Sequence, residues 1–225
     1  MEITLEQLMN AVSQYNETIW PFQFVAIALS FLGVYLAFRK SKTSDWIIVG
    51  MMIFFYLWNA LLFWLPMAKG GFTTGYVFVV IFLFEVAYLL YAGIKERLSF
   101  RFKSSVTAII GVVVIAYGLI IYPIVGLLIG RQYPALIFSP FFPCPLNIWV
   151  MGMFLLTEKP LPRCLIVVPF VWGLFGFFMV AIGLYEDIVL VLMNILGAIL
   201  IWSRDLKMVR EEKQGRIVQA AIQRR

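Results

Sequence analysis

A chain of 225 residues that is 63% hydrophobic and only 13% charged lies outside the range of soluble domains, which sit near half apolar and a quarter charged. Its mean hydropathy of +0.94 marks an integral membrane protein. The net charge of +6 would suggest nucleic acid in a soluble chain, but here it flanks apolar runs, and the absence of histidine removes the commonest metal ligand, haem ligand and acid–base catalyst.

Taken from the start, Thr4 to Tyr15 is predicted as an amphipathic helix. Thr4 and Gln7 fit a capping box, and Leu5, Leu8, Met9 and Val12 share one face. Residues 1–17 are expected to lie on the membrane surface. The first sixteen residues hold two Glu and no Lys or Arg, unlike a signal peptide, so the first membrane helix is expected to target the chain and stay in it. Asn16-Glu17-Thr18 matches the N-glycosylation pattern.

Residues 18–203 are expected to form a seven-helix transmembrane domain. The first span, 18–38, opens on Trp20-Pro21, and the second, 46–66, carries Asn59. The third, 75–94, has Glu85 near its centre, and the fourth, 106–129, should kink at Tyr122-Pro123. The sixth and seventh cover 164–183 and 188–203, with Pro169 in the sixth and Asn194 in the seventh.

The fifth segment is different. Pro140, Pro143 and Pro145 cannot donate backbone hydrogen bonds, and each disfavours helix in the residue before it. Helix is therefore expected only from Pro145 to Thr157, roughly 20 Å against a bilayer core of about 30 Å. The remainder must be irregular backbone covered by protein or by a watery cavity. This short, proline-broken segment is the seam of the all-α fold.

Charge fixes an orientation. Only Lys69 and Arg131 of the 18 basic residues fall on one side of this arrangement. By the positive-inside rule the N-terminus is outside and the C-terminus cytoplasmic, in the plasma membrane. The basic tail, 204–225, is expected to be helical and to rest on anionic lipid headgroups; a partner-binding helix is the alternative. Cys144 and Cys164 fall on opposite sides, so no disulfide is expected between them.

Glu85 is the only acidic residue deep in a span. It is expected to be protonated, paired or wetted, either as a proton or cation relay or as a neutral acid bonded to another helix through Tyr88 or an asparagine. Asn59, Asn147 and Asn194, with Gln23, lie in the outer half, where they line an outward cavity or simply join helices. Cys144 stands between two prolines near the outer face, but one thiol without histidine makes a poor metal site. The half-helix N-terminus beside it favours anions, whereas Glu17, Glu186 and Asp187 give the outer mouth an acidic character that favours cations. No P-loop, dinucleotide fingerprint, metal motif or nucleophile elbow occurs.

Leu5-Glu-Gln-Leu, Tyr15-Asn16, Trp20-Pro21-x-Gln23, Tyr122-Pro123, Pro143-Cys-Pro145, Pro169 and Glu186-Asp187 together resemble a family of bacterial and archaeal multi-pass membrane proteins whose function is unknown. The resemblance runs to about residue 203 and implies seven spans with the motifs at the outer face. It implies no activity. The chain departs from it at Leu146-Asn147, where small hydroxyl residues are typical, and at Tyr185, where proline often precedes Glu-Asp.

Three functions are weighed on these residues. The first is a small transporter or channel for an ion or small solute, with an outward cavity bounded by Cys144, Asn147, Asn59, Asn194 and Glu85. The second is a non-transporting scaffold or accessory subunit, and the third a membrane-embedded enzyme, weakened by the lack of a base–nucleophile pair. No cofactor or metal is expected, and a bound lipid is left open. The expected partners are the bilayer, anionic lipid at the tail, and a second copy or another membrane protein; nucleic acid is not among them.

Overall fold

The computed structural model describes residues 4–39 and 41–223, and these build an all-α bundle. In chain order its helices are α1 (Leu5–Thr18), α2 (Phe22–Arg39), α3 (Lys42–Lys69), α4 (Gly75–Ile94), α5 (Val106–Leu128), α6 (Pro143–Leu155), α7 (Cys164–Ala181) and α8 (Asp187–Gln223). Six of them (α2, α3, α4, α5, α7 and the Asp187–Arg216 part of α8) are long and apolar enough to cross a membrane; α6 is apolar but short. Among the described residues no strand forms, and one isolated antiparallel bridge joins Phe100 to Thr157.

Helix α2 is inside-out relative to a helix of a soluble protein. On α2 the buried residues are Gln23, Ala26, Ser30, Gly33 and Ala37, while Phe22, Phe24 and Phe31 are 47–55% exposed. Small and polar residues inward with large apolar residues outward is the pattern of a helix that packs on its neighbours and faces lipid. The close approach is real: a Cβ on Gly33 would lie 2.9 Å from the Trp149 ring.

Helix α1 carries the expected capping box, with Thr4 and Gln7 bonding reciprocally. It does more than rest on a surface, because Leu8, Val12 and Asn16 are buried against the bundle. Pro21 falls in the turn between α1 and α2, not in the first turn of the span. Two long helices contain a π-helical stretch just before a proline: Asn59–Trp64 ahead of Pro66 in α3, and Tyr117–Ile121 ahead of Pro123 in α5. A proline ring displaces the carbonyl one turn earlier, and a widened turn absorbs it without ending the helix. At Tyr122-Pro123, where a kink is expected, the helix continues through such a widened turn, and α3 likewise runs past Pro66 to Lys69.

The centre of the bundle is α6. All thirteen of its residues are buried, Trp149 being the largest, and it packs on α3, α5, α7 and α8. It begins two residues earlier than the prolines suggested, with Phe142 extended at the N-cap. Pro143 and Pro145 then occupy the first and third helical positions, whose N–H groups have no intrahelical partner anyway, so the prolines cost little there.

At its other end Arg204 closes α6. The guanidinium donates to the carbonyls of Phe154 (3.2 Å), Leu155 (3.2 Å) and Thr157 (3.1 Å) and to the Thr157 hydroxyl (2.9 Å), placing a cation on a helix C-terminus. Nearby, Asp45 and Arg101 form a bidentate ion pair (2.6 and 2.9 Å), and Asp45 also accepts the Phe100 N–H. This is the basic end of the molecule; α1 lies at the opposite end. The tail is not a separate element, since α8 continues unbroken to Gln223. Residues 224–225 of the expected tail, and Lys40, lie outside the described residues.

Candidate functional site

Residues 129–142 cross the α1 end of α6 without regular structure. Irregular backbone in apolar surroundings needs a partner for each carbonyl. Side chains from α1 and α3 supply four of these. Asn16 donates to Pro134 (2.6 Å) and Leu136 (2.8 Å), Tyr15 to Phe141 (3.1 Å), and Asn59 to Pro140 (3.0 Å). Gln23 in turn donates to the Asn16 carbonyl at 2.7 Å, and the Trp58 indole donates to the Tyr15 hydroxyl at 2.7 Å. Burial pushes the Tyr15 phenol above its ordinary range despite the Trp58 bond. Asn16 is fully buried in these contacts, so the glycosylation pattern around it is unusable in the folded chain.

Beneath this cap two helix N-termini converge on one carboxylate. Asp187 opens α8, and Cys144 stands at the second position of α6. The Cys144 thiol donates to Asp187 Oδ2 at 3.1 Å, and the Tyr122 hydroxyl donates to Oδ1 at 2.6 Å. Glu186 pairs with Arg131 at 2.6 Å, and Arg131 also bonds the Gly183 carbonyl (3.0 Å) and the Met9 sulfur (2.9 Å). The position that a helix N-terminus makes favourable for an anion is thus taken by the chain's own Asp187 carboxyl. Of the four residues expected at an open mouth, only Glu17 is exposed; Gln23, Glu186 and Asp187 are buried. Beside Cys144 an apolar cavity of ≈ 30 Å³, walled in part by Trp64, Phe142 and Trp172, has room for a water molecule.

The mid-bundle residues divide by whether they are bonded. Asn147 donates to the Pro143 carbonyl (2.8 Å) and accepts from the Tyr56 hydroxyl (2.9 Å); Asn59 donates also to the Phe55 carbonyl (2.9 Å). Among the described residues, Asn194 has no hydrogen-bond partner on either side-chain atom and is wedged against Gly173, and Glu85 has none for either carboxyl oxygen. Tyr88 lies one turn along α4 from Glu85 and is not hydrogen-bonded to it.

Asn59, Asn147, Asn194 and Glu85 each have 0% exposure, so a water-sized probe reaches none of them. The outward cavity expected between them is therefore closed. The reason is local: the capping segment and the fully buried α6 fill the space that the missing helical turns leave open. Cys144 and Cys164 are both free thiols.

Several of these groups are not evident from sequence. Tyr56, Tyr122 and Arg131 each meet one of the expected polar residues. Tyr122 precedes a proline, and Tyr56 lies three positions before Asn59 on the same helix, the only hints available.

A family model described as a family of unknown function, DUF6064, matches residues 5–212, and the chain belongs to that family. No curated protein and no solved structure matches it.

Proposed function

We propose that this chain is a seven-span plasma-membrane protein, N-terminus outside, that carries a proton or small cation past Glu85 and is closed at both ends in the conformation described. In this reading α6 is the fifth crossing, incomplete in itself and completed on the outer side by residues 129–142. The basic end is cytoplasmic, and the first basic residues of the α8 tail meet anionic headgroups while the rest projects onward.

One observation carries the reading. A carboxyl group kept only to join helices would be hydrogen-bonded, yet Glu85 is fully buried with neither oxygen partnered. Such a group is costly, and within a span it favours a functional role. Purified protein in liposomes, driven by proton, sodium or potassium gradients, should give flux above empty vesicles, and Glu85→Gln should lower it at least tenfold while melting normally. Wild-type vesicles no leakier than empty ones, or an equal flux from the variant, would sink the proposal.

A second reading has its own support. Asn16, Gln23, Asn59 and Asn147 all bond within the fold, which is what a non-transporting scaffold or accessory subunit would show. Absence of flux together with co-purification of a second copy or another membrane protein would favour it.

A further inference from the structure

A groove at the α1 end differs in chemistry from the sealed core. It holds ≈ 590 Å³, within the roughly 300–1,000 Å³ of small-molecule sites. One wall is the α1 stripe of Gln7, Ala11, Gln14 and Thr18, and the floor is Leu62, Phe63 and Pro66 at the end of α3. The far wall is the turn 70–74, where Thr73 and Thr74 face the groove. Missing side chains make the space: Ala11 interrupts the stripe, and Gly70 and Gly71 form the turn. Gly71 holds φ +111, which a side chain would strain.

The lining is amphipathic and uncharged. No Lys, Arg, Asp or Glu is among its residues, whose polar members are amides and hydroxyls besides Tyr15. Burial holds the Tyr15 phenol neutral, and its hydroxyl is already bonded. The Gln14, Thr73 and Thr74 side chains make no hydrogen bond to the rest of the described chain, so their donors and acceptors are free for a ligand. Leu61 and Leu62, 44% and 47% exposed, continue the floor onto the apolar outer surface of the bundle. A ligand that fits has an apolar tail lying along that surface and an uncharged, hydroxyl-rich head between α1 and the threonines. A phosphate head would find no cation in the lining.

We propose that this groove binds the head of a neutral glycolipid, its hydroxyls meeting Gln14, Thr73 and Thr74 and its acyl chain following Leu62 into the bilayer. The site stands apart from Glu85 and does not depend on transport. Ala11 sits at the middle of the groove, so Ala11→Trp fills it from a half-buried position.

The test is native mass spectrometry of the full-length protein in a polyoxyethylene detergent, which carries no sugar. It is titrated with monoglucosyl diacylglycerol, with phosphatidylglycerol of the same chains, and with glucose alone. The glucosyl lipid should bind most tightly, Ala11→Trp should weaken it at least tenfold, and Thr73→Val with Thr74→Val should weaken it severalfold. Equal or tighter binding of phosphatidylglycerol, equal binding of free glucose, or unchanged affinity in Ala11→Trp would overturn the proposal. Should Ala11→Trp fail to fold, the threonine pair lies on an exposed turn, and unchanged affinity in that variant would overturn it equally.

Discussion

The contact between α5 and α6 gives the sharpest test of how the bundle is packed. Gly111 and Gly152 face each other there, and a Cβ added at Gly152 would fall 2.5 Å from Ile115 Cγ1 and 2.8 Å from the Gly111 carbonyl oxygen. Carbon atoms pack at about 3.5–4.0 Å, so Gly152→Ala must move something by about 1 Å. The Ile115 side chain is β-branched and stiff within its helix, and the carbonyl is backbone. Nor can α6 retreat, because every one of its residues is buried. Overpacking of this kind costs about 1–3 kcal/mol, and the obstacles point to the upper end. Replacing a helical glycine returns roughly 0.5–1 kcal/mol, which leaves a net loss of about 2 kcal/mol. For a chain of this size that is a fall in Tm of roughly 4–8 °C. Gly50→Ala is the matched control, since a Cβ there meets nothing within 4 Å, and it should raise Tm by a degree or more. Tryptophan fluorescence of the detergent-solubilised protein during heating measures both. If Gly152→Ala melts as high as Gly50→Ala, the close packing of α5 on α6 is not as described.

Two further outcomes follow from the ends of the bundle. Arg204→Gln removes the cation from the last carbonyls of α6 and should cost about 2 kcal/mol, visible as a lowered Tm, with Arg204→Lys recovering only part because an ammonium cannot span those acceptors. Burial raises the Tyr15 phenol above its ordinary value of about 10, so the stability linked to it is fully present below about pH 10 and is lost as pH rises from there toward the folded value. Stability in alkaline titration should therefore fall above about pH 10, and Tyr15→Phe should flatten that fall while lowering Tm at neutral pH through loss of the bond to Phe141; an unchanged alkaline slope would contradict it.

The spans were legible because lipid imposes one rule on every residue they contain. Glu85 at mid-span, the capping box at Thr4 and the shortness of α6 were read from residue type and spacing alone. What could not be read was polar pairing. A sequence places Asp187 at an outer turn and Cys144 between prolines, but nothing in it shows that two helix starts meet at one carboxylate. The same limit turned an expected cavity into a closed core: residue type puts Asn59 and Asn147 at a common depth, and only the fold shows Asn59 bonded to the Pro140 carbonyl and Asn147 to the Pro143 carbonyl and the Tyr56 hydroxyl. The glycosylation pattern at Asn16 fails for that reason too, since the amide is taken by Pro134 and Leu136.

The distribution of fastened and unfastened contacts bears on how Glu85 would meet water if it exchanges protons. Helix α6 is tied at both ends, by Asp187 and Tyr122 around its first turn and by Arg204 at its last. Among the described residues no side-chain hydrogen bond ties α4 to the core in this way. Helix α4 packs on α3 and α7, and each of those is interrupted, α3 by its π-helical stretch and α7 by Pro169, which leaves the Leu165 carbonyl without its usual donor. Two polar side chains also lie that way, Cys164, half-buried at the start of α7, and Tyr88, one turn along α4 from Glu85, both toward the basic end. A route opened between α4 and α7 would wet Glu85 without disturbing the Asp187 cluster. An opening beneath the α1 end would break four side-chain bonds to residues 134–141 before any water reached Asn59. If Glu85 exchanges protons, an opening on the α4–α7 side would therefore break fewer side-chain bonds than one beneath the α1 end.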